Sequence, residues 1–153
     1  MNHYSLESYR VDESIGHLLT KVNTQMRKRL DAELAGEELT CAQWLVLMKL
    51  AYGGQSTAAE LAEALNQDTG AITRMIDRLE AKGLLRRSRS TQDRRVVELE
   101  LTEAGQACKP CLPKPGINVL NHALRDFSVE EVAQLKNYLR RMAAACETPA
   151  VGG

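Results

Sequence analysis

Between Asp68 and Arg95 the chain carries eight basic residues, Arg74, Arg78, Lys82, Arg86, Arg87, Arg89, Arg94 and Arg95. Against them stand four acids, Asp68, Asp77, Glu80 and Asp93, in a sequence whose formal net charge is zero. A local basic excess in a neutral chain marks one face for an anion. Beside it lie Gln67, Thr69 and Thr73. Amides, hydroxyls and guanidinium groups hydrogen-bond base edges, and arginine bonds guanine through two donors. For any one of Gln67, Thr69, Thr73 and Arg74, phosphate contact and base contact look alike in sequence, whereas Arg86, Arg87 and Arg89 suit a phosphate backbone. The alternative for both groups is an ordinary solvated face.

Other residues invite different chemistry. Cys108-Lys109-Pro110-Cys111 has the spacing of a thioredoxin-like dithiol. That chemistry wants its first cysteine at a helix N-terminus after a strand, and this motif falls inside or beyond a helix. A zinc site would need two more ligands, and neither a second CxxC nor an HxxxH pair is present. No metal, cofactor or catalytic set is expected, and the chain is not expected to be an enzyme. Cys41 reads as a small packing residue. Tyr9, His17, Trp44 and Met48 are candidates to line a pocket for a small aromatic acid, which wants an apolar slot, donors and a cation. Each is equally a candidate core or interface residue.

The elements that must position these residues are mostly helical. The apolar fraction, 44%, and charged fraction, 26%, are ordinary for a soluble domain, and the 4% aromatic content leaves the core to aliphatic residues. From Val11 to Leu34, Ile15, Leu18, Leu19, Val22, Met26 and Leu30 keep helical spacing. So long an apolar face implies a partner. Thr40 and Gln43, Thr57 and Glu60, and Ser128 and Glu131 have capping-box spacing and open further helices. Asp68 caps a helix whose buried positions are Ile72, Met75, Ile76 and Leu79, and Gly83 ends it. The two short helices on either side of Asn66-Gln67-Asp68 give a helix-turn-helix signal. Leu84–Ser88 and Arg95–Leu101 read as strands joined by the polar turn 89–94. Thr102 opens another helix, which the prolines at 110, 113 and 115 should break, with helix resuming from about Ile117 to Arg125. The last helix runs to about Ala145, and the tail ETPAVGG should be frayed. The N-terminus lacks a signal-peptide pattern and no apolar run approaches a membrane span, so a cytoplasmic chain with reduced cysteines and no membrane partner is expected.

Segments LTCAQWLVLMKL, STAAELAEALNQDTGAITRMIDRLEAKGLLRR and DRRVVELELTEAG resemble the corresponding parts of MarR-type winged-helix regulators. The likeness extends over roughly Val11 to Met142. The Asp93-Arg94-Arg95 triplet carries it most specifically when joined to the upstream helix-turn-helix and downstream LTEAG. The resemblance implies a mainly α fold with a small β wing. Residues 40–101 would form the winged helix-turn-helix lobe, and residues 11–34 and 103–146 the long N- and C-terminal dimerisation helices of one chain. It implies a homodimer on double-stranded operator DNA, with Thr69, Thr73 and Arg74 toward the major groove, Gln67 within reach of it and Arg78 also among the DNA-binding residues. Arg94 would enter a minor groove at the wing tip, with Arg86, Arg87, Arg89 and Arg95 nearby and Asp93 orienting a neighbouring arginine. The expected function is repression relieved by a small aromatic or phenolic acid. Repression switched by thiol oxidation is the alternative, although the reactive cysteine of peroxide-sensing members, near the start of the first helix, has no counterpart in this chain. A small CxxC redox enzyme and a protein-interaction module are the alternatives from other classes.

Overall fold

The computed structural model describes residues 2–147. Seven α-helices and two strands follow one another among them: α1 (Ile15–Leu34), α2 (Cys41–Tyr52), α3 (Ala58–Leu65), α4 (Thr69–Ala81), β1 (Leu85–Arg89), β2 (Val97–Leu101), α5 (Glu103–Cys108), α6 (Pro113–Ala123) and α7 (Val129–Glu147). Short 3-10 turns follow α1 and α5. The expected tail beyond Glu147 lies outside the described residues. Residues up to Val119 form one compact unit and those from Leu120 a second.

In the first unit the core is aliphatic around a single indole. Leu34, Val46, Leu47, Leu61, Ile72, Ile76, Leu79, Leu85 and Leu99 are buried with Trp44, Leu112 and Val119. Each such side chain removed from water stabilises the fold by about 1.5–3 kcal/mol before its ordering entropy is counted. α1 commits only its C-terminal half to this core, through Met26, Leu30 and Leu34. Ile15, Leu18, Leu19 and Val22 stay exposed along the other half. In the second unit α7 likewise exposes Leu135, Tyr138, Leu139 and Met142.

The caps form as their spacing predicts. Thr40 and Gln43 exchange side-chain-to-backbone hydrogen bonds of 3.2 Å each, and Ser128 and Glu131 do the same at 3.2 and 2.7 Å. Several boundaries differ from expectation, among them β1, which runs Leu85–Arg89 rather than Leu84–Ser88. α1 begins at Ile15 rather than Val11, because Ser14 caps it, accepting from the His17 N–H at 3.3 Å while donating to the Val11 carbonyl at 2.7 Å. β2 begins at Val97 rather than Arg95, because the backbone N–H groups of Arg95 and Val96 are spent on Asp93. α6 begins at Pro113 rather than Ile117 and ends at Ala123. First-turn N–H groups have no partner inside a helix, so Pro113 and Pro115 forfeit no hydrogen bond there, and a fixed φ suits the start.

Candidate nucleic-acid interface

The face that carries the candidate DNA residues is built on a fixed α3–turn–α4 corner. Glu60 accepts from the Ser56 and Thr57 N–H groups at 2.7 and 3.1 Å, and Thr57 accepts from the Glu60 N–H at 3.2 Å. These bonds, the Ser56 N–H foremost, hold the Glu60 carboxyl below the usual glutamate range. α3 ends where Asn66 takes a left-handed conformation with φ of 49°, and the Gln67 N–H returns to the Ala62 carbonyl at 2.9 Å. Asp68 then caps α4 through the Ala71 N–H at 2.8 Å. Ile72, Ile76 and Leu79 bury one face of α4, and helical spacing turns Thr69, Thr73, Arg74, Asp77 and Arg78 outward. The Thr73 hydroxyl donates to the Thr69 carbonyl at 2.8 Å, which leaves its oxygen lone pairs for a base donor.

The wing is an antiparallel pair in the register Leu85↔Leu101, Arg86↔Glu100, Arg87↔Leu99, Ser88↔Glu98 and Arg89↔Val97. The Leu99 N–H also reaches the Ser56 carbonyl at 2.7 Å, so the start of α3 and the wing are stitched together. The tip is ordered by its own backbone. The Ser90 N–H meets the Val96 carbonyl at 3.0 Å, and the Ser90 hydroxyl, buried, accepts from the Gln92 N–H at 3.2 Å.

Within this frame the candidate residues divide. Arg74 and Arg78 on α4, with Arg89, Arg94 and Arg95 on the wing, are exposed and form no ion pair among the described residues, and Gln67 is exposed at the turn. Arg86 is paired across the strands with Glu100 at 2.9 Å. Arg87 departs from its expected place on the DNA backbone. It shares the face of β1 that carries buried Leu85, and a cation turned that way needs carboxylates. It finds Asp77 at 2.6 Å and Glu80, both on α4, and the hydrogen bond to Asp77 contributes most to raising its pKa. Arg87 therefore clamps the wing to α4. Asp93 also differs from expectation: its carboxylate accepts from the Arg95 backbone N–H at 2.9 Å and shapes the turn instead of orienting a guanidinium.

The base of the wing is welded to α5. Thr102 donates its N–H to the Leu84 carbonyl at 3.1 Å and its hydroxyl to the Gly83 carbonyl, while accepting from the Gly105 N–H at 3.1 Å. Gly105 packs so closely that a Cβ would stand 2.1 Å from the Leu84 carbonyl oxygen. Sequence reading missed both this joint and the Arg87 clamp. Strand alternation from Leu85 was the signal for Arg87, since every second residue shares a face.

The four residues proposed for an effector pocket have other engagements. Trp44 is buried, donating its indole N–H to the Leu112 carbonyl at 2.7 Å, and Met48 is half-buried against the core. Tyr9 is exposed and meets Tyr4 edge-on at 5.8 Å, and His17 is exposed on the first turn of α1. A cleft at the end of α2 is lined by other residues: Leu50, Gln55, Leu99, Leu101, Gln106 and Lys109. It offers an apolar wall, two amides and an ammonium group, and the Lys109 ammonium lies 5.2 Å from the Tyr52 ring centroid. A narrower cleft is lined by Arg27, Leu45, Gln67 and Met75.

A family model described as MarR family matches residues 39–97, the span from α2 to the start of β2. Over 129 residues the chain is 33% identical to the multiple antibiotic resistance protein MarR of Salmonella typhimurium, a match covering 84% of this chain and 90% of that protein. The chain belongs to the MarR family. The HTH-type transcriptional repressor NicR of Pseudomonas putida is 36% identical over 134 residues, 88% of this chain and 85% of NicR. A crystal structure of a mutant MarR from Escherichia coli complexed with operator DNA matches with a TM-score of 0.75 and 30% identity, over 88% of this chain and 99% of that one. The mainly helical fold with a two-stranded wing is thus the MarR winged-helix fold, and this MarR-family chain is a DNA-binding transcriptional regulator. Its relatives are regulators, not enzymes. No helix among the described residues is long and apolar enough to cross a membrane.

Proposed function

We propose that this MarR-family chain is a homodimeric repressor that holds a pseudo-palindromic operator with α4 and the wing and leaves it on binding a small aromatic or phenolic acid. One observation carries the reading. In a chain of zero net charge, Arg74, Arg78, Arg89, Arg94 and Arg95 remain exposed on α4 and the wing without ion pairs among the described residues, beside the outward Thr69 and Thr73. Uncompensated guanidiniums next to base-reading hydroxyls suit a duplex. The exposed apolar faces of α1 and α7 support a homodimer, since a contiguous apolar face on a soluble chain is covered by something. The cleft at Leu50, Leu99, Leu101, Gln106 and Lys109 supports an acidic, partly apolar effector, and Tyr9, His17, Trp44 and Met48 do not line it. Release follows as a population shift, with the effector favouring a dimer geometry that fits DNA poorly.

The test is selection of duplexes from a random pool, followed by gel shifts of the winner against a panel of benzoic and phenolic acids. Enrichment of an inverted repeat, and its release by members of the panel at concentrations where acetate has no effect, is expected. A pool that enriches no duplex would overturn operator binding, and release by none of the acids would overturn the effector class.

A further inference from the structure

The joint between α5 and α6 holds two thiols that operator binding does not use. Cys108 is the last residue of α5 and Cys111 the last of the 3-10 turn that follows, and both are exposed. The Leu112 N–H is shared between the Cys108 and Lys109 carbonyls at 3.2 Å each, so the winding there is intermediate between α and 3-10. In 3-10 winding the side chains at i and i+3 eclipse, which sets the two thiols on one side of the turn. The other cysteines are placed differently. Cys41 is buried, and burial pushes its thiol up, while Cys146 lies on α7 in the second unit.

We propose that Cys108 and Cys111 are a redox-active dithiol that closes to an intrachain disulfide under hydroperoxide and thereby regulates the lobe above it. One thiol takes the terminal oxygen of the hydroperoxide, giving a sulfenic acid and an alcohol, or water from hydrogen peroxide. The second thiol then attacks the sulfenic sulfur, forming the S–S bond and releasing water. Two thiols are oxidised and one peroxide bond is reduced, with no other reactant.

Closure has a mechanical consequence. Helical neighbours at i and i+3 hold their Cβ atoms about 5–6 Å apart, whereas a disulfide needs about 3.5–4.5 Å, so the turn must tighten by roughly 1–2 Å. The turn is gripped from both sides by α2. The Tyr52 hydroxyl donates to the Lys109 carbonyl at 2.6 Å, and the Trp44 indole N–H donates to the Leu112 carbonyl at 2.7 Å. One turn further, in α6, a Cβ at Gly116 would stand 2.9 Å from the Trp44 ring, so that contact has no slack. At the other end α5 is welded to the base of the wing through Thr102 and Gly105. A tightened turn therefore acts on α2 and the wing together. The effect on DNA rests on the operator-binding reading; the disulfide itself does not.

The full-length protein is treated with a small excess of cumene hydroperoxide and digested with trypsin without reduction. Trypsin passes over the Lys-Pro bonds at 109 and 114, so residues 96–125 stay in one peptide. That peptide is expected to weigh two hydrogens less than in the untreated protein and to regain them with dithiothreitol. Cys108→Ser and Cys111→Ser are each expected to abolish the change. Operator affinity is expected to fall about tenfold on oxidation of the wild type, within the usual range of coupling between sites, and to hold in both variants. Oxygen added to the peptide without loss of hydrogens, or a bridge to Cys146, would overturn the dithiol. A quantitative 108–111 disulfide with unchanged DNA affinity would overturn the regulatory coupling. A reduced protein that binds no selected duplex marks failure of the operator reading instead, while the peptide mass still decides the dithiol.

Discussion

Arg87 and Arg94 are alike in sequence and differ in what already satisfies them. Arg87 is held by Asp77 and Glu80, so its charge is matched within the fold. Arg94 is exposed at the wing tip without an ion pair among the described residues. Arg87→Ala is expected to lower stability by about 1 kcal/mol, the size of a largely exposed ion pair, and to loosen the wing on α4. Arg94→Ala is expected to leave the thermal melt unchanged and to flatten the plot of log affinity against log salt by about one unit for each wing that loses its contact. A melt and a salt titration on both variants separate them; an unchanged slope for Arg94→Ala would exclude it from the DNA contact. Glu60 gives a pH signature. Its folded pKa lies below that of the unfolded chain, held down by the Ser56 and Thr57 N–H groups. Its contribution is therefore complete above the ordinary glutamate range and is lost as pH falls through the lower, folded value. Glu60→Gln is expected to reduce the slope of stability against pH in that acidic window, lowering stability at neutral pH and converging on the wild type in acid, as read by urea unfolding across pH.

At the scale of elements, α5 is the strap that holds the wing's base. A Cβ on Gly105 would press on a backbone oxygen, which has no rotamer to escape through. Gly105→Ala is expected to cost about 2 kcal/mol or more, as overpacking does. Thr102 and Leu84 would be forced apart, so DNA affinity should fall with it; a melt unchanged by this substitution would mean that the joint yields. This joint also shows which parts of the fold were legible. The caps at Thr40, Thr57 and Asp68 could be read because donor and acceptor sit three residues apart. Alternation of Val97, Leu99 and Leu101 with Glu98 and Glu100 revealed β2 for the same local reason. Trp44 could not be placed that way, since the carbonyl that fixes it belongs to Leu112, far along the chain. Nor could Arg87 be separated from Arg86 by charge alone. The prolines mark the break between α5 and α6 but not its extent, because Pro113 and Pro115 occupy a helix's first turn, where a missing N–H has no consequence.

For the molecule as a whole, the apolar half of α1 is the feature that the isolated chain leaves unexplained. Ile15, Leu18, Leu19 and Val22 are exposed, while Leu30 and Leu34 at the other end of the same helix are buried. If water were the final neighbour of Leu18, a glutamate there would be nearly neutral, because exposed substitutions that touch nothing stay within about 0.5 kcal/mol and glutamate is a good helix former. If a second copy covers it, two-fold symmetry introduces the charge on both protomers, and each loses about 1.5–3 kcal/mol of apolar burial besides burying an unpaired carboxylate. Leu18→Glu is therefore expected to sediment as a folded monomer with an unaltered helical circular dichroism spectrum. Its DNA affinity should fall far more than any single change in α4 produces. Two recognition helices that meet successive major grooves about 34–36 Å apart bind as one bivalent unit, and a monomer keeps only one of them. Sedimentation velocity and a gel shift on the same preparation decide the matter. A Leu18→Glu chain that remains dimeric with wild-type affinity would show that this face meets water, and the proposed dimer would have to be built elsewhere.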